Sequence, residues 1–253
     1  MAEQSEVNEQ CCTLPPFKSD YVPVGKRFTL QIEGQDDLEV YETGDPDAKQ
    51  ALVAIHDIFG LHSNTLQGAD YLAQLRGYRI VIPDFFRGKG WDINDIPPKA
   101  GRPALNAWVQ EVGSWEKVQP GLIATVENAR RLGAASIGAY GFCFGAKKLV
   151  QGAHLKLFKC MGFIHPTNFQ PEDADNVDVP IALLPSQGED PKAMDAFYGK
   201  IQTKPIADAS VRQDFLDVHH GFASARSNWA DPKLANRARE AYQVLDAFFQ
   251  RNL

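Results

Sequence analysis

A chain of 253 residues with 26 basic and 32 acidic side chains carries a formal net charge of −6. That balance leaves no cationic footprint for nucleic acid and no polybasic patch for an anionic membrane, so a small molecule is the expected partner. The length suits one α/β domain over 1–253, and no run reaches the ~18 apolar residues of a membrane span.

The first residues, 1–10, are polar and acidic rather than basic leading into apolar, which does not read as a secretion signal. Four cysteines, two of them adjacent at Cys11 and Cys12, are too few and too awkwardly spaced for a disulfide framework. A reducing cytoplasm is the compartment this composition predicts.

In chain order, residues 1–25 read as an irregular arm and are followed by strand patterns at 27–32 and 38–41, with Gly34-Gln35-Asp36-Asp37 as the turn between them. Strand and helix patterns then alternate: strand 51–55, helix 65–75, and a strand at 78–82 that stops at Pro83. The segment 92–101, with Pro97, Pro98 and several charges, reads as a loop able to cap a pocket. A helix at 118–132, a strand at 135–140, strands at 160–164 and 179–184, a helix at 192–201, a strand at 212–218 and an amphipathic helix at 233–251 complete the pattern. Such alternation predicts a mainly parallel sheet covered by helices on both faces.

The most informative segment is Gly141-Phe142-Cys143-Phe144-Gly145. It has the form of a nucleophile elbow, in which small residues two places on either side of the nucleophile let a strand and a helix cross closely. The strand pattern before it and the apolar spacing of Ala146, Leu149, Val150 and Ala153 after it supply that context. A buried structural thiol beside a glycine turn is the competing reading.

Partners for a reactive thiol are expected in loops beyond the carboxyl ends of the strands, in the order nucleophile, acid, histidine. His220, after the strand at 212–218, is the candidate base; His219 beside it is expected to turn the other way. Asp190 is the candidate acid, with Glu189 as the alternative, because Asp190 closes a glycine turn and precedes Pro191. The backbone amides of Ile58 and Phe144 are placed to receive an oxyanion. Arg87 and Arg226 fall near the same rim, where a guanidinium could fork onto a substrate carboxylate. His56, Asp57 and His62 do not have the spacing of a metal set, so no metal is expected.

Asp57-Ile58-Phe59-Gly60, Val81-Ile82-Pro83-Asp84-Phe85-Phe86, the elbow and His220-Gly221-Phe222 together resemble the dienelactone hydrolase family, in its order and at similar separations over about 25–250. Cys11-Cys12 with Pro15-Pro16 resembles its fungal branch. The resemblance implies an α/β-hydrolase fold and a cofactor-free hydrolysis of esters or lactones by a triad of Cys143, Asp190 and His220. It further implies that Asp57, where the bacterial enzymes carry glutamate, modulates the thiol, and that Arg87 and Arg226 hold a substrate carboxylate. A biosynthetic thioester or polyketide hydrolase and a ligand-binding member without turnover remain the alternatives, as a monomer or a homodimer.

Overall fold

The computed structural model describes residues 14–253; Cys11 and Cys12 lie outside the described residues. An eight-stranded sheet is built from β1 (Lys26–Leu30), β2 (Leu38–Thr43), β3 (Gln50–Ile55), β4 (Arg79–Pro83), β5 (Ser136–Phe142), β6 (Met161–Ile164), β7 (Ile181–Leu184) and β8 (Val211–Arg212). Their spatial order is β1-β2-β4-β3-β5-β6-β7-β8. β2 pairs antiparallel with both neighbours, and the pairings from β4 to β8 are all parallel.

The helices are α1 (Ser63–Arg76), α2 (Arg102–Gly113), α3 (Trp115–Arg131), α4 (Phe144–Gln151), α5 (Pro191–Gln202) and α6 (Pro232–Asn252). Strand alternation sorts side chains to two apolar layers. Val53, Ala139, Phe163 and Leu183 face α3, α4 and α5, whereas Leu52, Ala54, Tyr140 and Ile164 face α1 and α6. Each fully buried aliphatic or aromatic side chain contributes roughly 1.5–3 kcal/mol, so a sheet covered on both faces gains from every residue of its central strands.

After β3 the chain moves outward through α1 to β4, then returns to place β5 on the other side of β3. This reversal opens a crevice beyond the carboxyl ends of β3 and β5, where ligands of open α/β sheets bind. The strand expected at 212–218 is shorter than predicted. Regular pairing ends at Arg212, and a single bridge joins Phe215 to Ser186, while Leu216 is 56% exposed and breaks the buried alternation.

The described part of the amino-terminal arm has no regular structure and is fixed by side chains of α1. Asn64 Nδ2 donates to the Phe17 carbonyl at 2.9 Å, and buried Asp70 accepts from the Tyr21 hydroxyl at 2.8 Å and the Val24 amide at 3.1 Å.

Candidate active site

Cys143 joins β5 to α4 with φ 51° and ψ −111°, outside the regions a cysteine ordinarily occupies. The glycines around it explain how so sharp a turn fits. A Cβ on Gly141 would lie 2.5 Å from the Gly145 carbonyl carbon, and one on Gly145 would lie 2.2 Å from the Ile55 oxygen. Strand and helix therefore cross at a separation only glycine allows. The Cys143 amide donates to the Ile164 carbonyl at 3.2 Å, which ties the strained residue to the neighbouring strand. Cys143 stands at the head of α4. Cys160, by contrast, sits in an apolar layer where burial pushes its thiol up to about 12, a value that makes it inert.

His220 Nδ1 lies 2.6 Å from Glu189 Oε1, with both side chains buried. A carboxylate on Nδ1 fixes the proton there and leaves Nε2 as the basic nitrogen. The Glu189 carboxylate also accepts from the Ser186 amide and, at 3.2 Å, from the Ser186 hydroxyl, so its orientation is set independently of the histidine. The acid beside His220 is therefore Glu189 and not Asp190. Asp190 is exposed and caps α5, accepting the Lys192 amide at 2.9 Å. His219 turns away, with Nε2 3.1 Å from the Arg226 carbonyl oxygen, as the alternation of the two rings predicted.

The hydrogen bonds of Asp57 run to the backbone and to Ser224. One carboxylate oxygen accepts the Phe59 amide at 2.9 Å, and the other accepts the Ser224 hydroxyl at 2.6 Å and the Ala225 amide at 3.2 Å. The carboxylate thus clips the end of β3 to the loop that carries His220. His56 is likewise structural: Nε2 accepts the Phe85 amide at 3.1 Å, so Nδ1–H donates to the Asp57 carbonyl at 2.7 Å. Both ring nitrogens are used, and His62 spends Nδ1 capping α1 through the Asn64 amide.

A pocket of about 330 Å³ opens over Cys143 and is lined by Ile58 and Phe144, whose amides were the expected oxyanion donors. Its far wall is α2, through Leu105 and Val109, and its polar groups include Arg102, Lys147 and Lys148. Arg87 and Arg226 do not converge there. Arg87 donates to Gln35 Oε1 at 2.9 Å, to the Asp36 carbonyl at 3.1 Å and to the Phe85 carbonyl at 3.3 Å, which anchors the turn after β1. Arg226 is buried, 5.0 Å above the Phe59 ring, and donates to the Leu14 carbonyl, so it fastens the arm to the His220 loop.

The cations at the pocket are instead ones the sequence reading missed. Lys147 is paired with Asp173 at 2.6 Å, and Arg102 has no ion pair or hydrogen bond among the described residues. Lys148 is buried, with Nζ 3.1 Å from Gln151 Oε1 and 5.1 Å from the centroid of Phe144, and burial pulls its ammonium down to about 8. No carboxylate lines the pocket.

A third buried histidine also stands beside the site. His165 follows β6 with φ 36°, and its ring is 4.9 Å from that of His220, between Phe142 at 5.6 Å and Phe222 at 5.8 Å. The rule that pointed to His220, a polar residue just past a strand's carboxyl end, applies equally to His165.

Residues 38–253 match the profile of the dienelactone hydrolase family. Two uncharacterised AIM2 family proteins of Schizosaccharomyces pombe are each 33% identical to this chain, over 250 and 247 residues, each comparison taking in 95% of this chain and 98% of the relative. A hydrolase, pyvD, of Aspergillus violaceofuscus is 29% identical over 194 residues, covering 74% of this chain and 76% of its own. Among solved structures, a Klebsiella pneumoniae protein classed as a dienelactone hydrolase superposes with a TM-score of 0.68 at 18% identity, over 90% of this chain and 98% of that one. A Pyrococcus furiosus esterase does so with 0.66 at 13%, over 95% and 98%. At these identities the structural likeness speaks for the fold.

Proposed function

The chain belongs to the dienelactone hydrolase family and is a hydrolase, and from that premise we propose that it cleaves small esters or lactones with Cys143 as nucleophile, His220 as base and Glu189 as the carboxylate that orients it. The observation that carries this reading is the strained cysteine elbow, held open by two glycines at the floor of a pocket with Ile58 and Phe144 in its wall.

In the acylation step Nε2 of His220 takes the thiol proton as sulfur attacks the carbonyl carbon. The oxyanion that forms is received by the amides of Ile58 and Phe144, and Glu189 stabilises the imidazolium through Nδ1. His220 then returns the proton to the leaving oxygen, and water releases the acyl group. Thiolate is itself a good leaving group from the tetrahedral intermediate, so the reaction favours enol esters, aryl esters and lactones whose oxygen leaves readily.

Arg102 and Lys148 stand in the pocket wall with no carboxylate in the lining, and Glu116, the acid nearest in charge to Lys148, does not offset the burial of its ammonium. Lys148 is buried, and a buried ammonium gains from an anion that a ligand brings to it. The reading therefore includes a substrate bearing a carboxylate, bound by Arg102 and Lys148 in place of Arg87 and Arg226. Charge-assisted hydrogen bonds contribute about 1.5–3 kcal/mol each, which predicts a KM for an anionic ester roughly tenfold or more higher in Arg102→Gln and Lys148→Met. Comparing p-nitrophenyl butyrate with its hemisuccinate counterpart checks this, since loss on both esters alike would remove the anion from the account.

A further inference from the structure

His165 is fully buried, and neither of its ring nitrogens has a hydrogen-bond partner among the described residues. Leaving a buried polar group unpaired costs about 1–3 kcal/mol, and native interiors pair such groups with protein or with ordered water. The packing around the ring gives no reason for the cost. Phe142 and Phe222 are hydrocarbon, and a phenylalanine would fill the same space between them. The backbone adds a second cost, because His165 stands at φ 36°, where a non-glycine residue is strained. Strain and an unpaired polar ring together, one ring away from the base, mark a functional position rather than a packing one.

Two contacts say what the position faces. Its ring stands 4.9 Å from His220 at 64°, and the loop it begins supplies Thr167 and Asn168 to the wall of the Cys143 pocket. Burial, with His220 nearby, holds the imidazole neutral, so it carries one acceptor and one donor nitrogen.

We propose that His165 holds the water that hydrolyses the acyl-enzyme and presents it to His220. The inference rests on the thiol-hydrolase reading above. In the step it serves, the water oxygen forms a bond to the thioester carbon while the carbon–sulfur bond breaks. The water proton passes to His220 Nε2 and from there to the departing sulfur, so the acid product leaves and the thiol is restored. Acylation needs no water, and His165 acts in deacylation alone.

Stopped-flow hydrolysis of p-nitrophenyl acetate separates the two steps, with the acyl adduct on Cys143 followed by quenched mass spectrometry. In His165→Phe the burst stays within about twofold of the wild type, while deacylation falls about tenfold or more. Hydroxylamine, which attacks the thioester without a held water, restores turnover in that variant. His165→Met is the second variant should the first not fold, with the same pattern expected. An unchanged deacylation rate, a parallel fall of both steps, or no rescue by hydroxylamine overturns the proposal while the Cys143 adduct leaves the thiol-hydrolase reading standing. Absence of burst and adduct in the wild type overturns both.

Discussion

Glu189 and Asp190 are adjacent carboxylates with opposite fates, and their difference is one of local geometry. Asp190 precedes Pro191 at the start of α5 and accepts the amide two residues on, the ordinary work of a helix cap. Glu189 has the extra methylene and the inward position to reach His220, 2.6 Å away. Glu189→Gln keeps the shape but removes the charge that fixes the tautomer, and its kcat falls about 10²- to 10⁴-fold with KM little changed. Asp190→Asn leaves kcat within about twofold and lowers stability by about 1 kcal/mol or less. Steady-state kinetics and urea unfolding of the pair check this, and a reversed order of kcat losses returns the acid role to Asp190. The sequence narrows the carboxylate beside His220 to these two, but the choice depends on the path of the loop from Ser186, which residue types alone do not encode. The arginines were misleading for a similar reason. Arg87 and Arg226 fall after the expected strands, but neither lines the Cys143 pocket, and each donates to a backbone carbonyl of a neighbouring loop or arm.

The elements that position the site follow directly from their sequences. β3, β5 and β6 are apolar runs bounded by turns, and the elbow needs its two glycines because Gly145 passes within contact of the Ile55 carbonyl. Gly145→Ala forces strand and helix apart, with a stability loss of about 1–3 kcal/mol and a larger loss of kcat than of binding. Asp57→Asn weakens the clip between β3 and residues 224–225, so kcat falls while thiol titration by iodoacetamide stays as in the wild type. A thiol whose ionisation moves in that variant would instead support the modulating role that the family resemblance implied. The element that went unread was α2. Its stripe of Leu105, Trp108, Val109 and Val112 has helical spacing, but it follows directly on the proline-rich loop at 92–101 and no element was assigned between that loop and the helix at 118–132. Arg102 and the far wall of the pocket were lost with it. The last strand was overread for the converse reason: Phe215, Leu216 and Val218 are apolar, but Leu216 points outward and pairing stops early.

Across the whole molecule the charge pattern links stability to function. Lys148 titrates near 8 in the folded chain, below its ordinary value of 10.5, because burial disfavours the ammonium. Between those two values the unfolded chain binds more protons, so this group makes stability rise with pH over about 8 to 10.5. At pH 7 the charged amine opposes folding, and Lys148→Met raises the thermal midpoint there while abolishing preference for an anionic ester. Melting curves at pH 7 and pH 10 check the sign, and a midpoint gain that grows with pH contradicts it. His165 acts at the other end: its folded affinity for protons lies well below the ordinary 6.5, so its share of stability is lost as pH falls below that value.

The central claim is that Cys143 becomes acylated during turnover, and rapid-quench mass spectrometry after mixing with an activated aryl ester tests it most directly. The account predicts one acyl group on the peptide containing Cys143, and a rate at least about a thousandfold lower in Cys143→Ala. Wild-type turnover in Cys143→Ala, or an adduct on another residue with Cys143 unmodified, would contradict it.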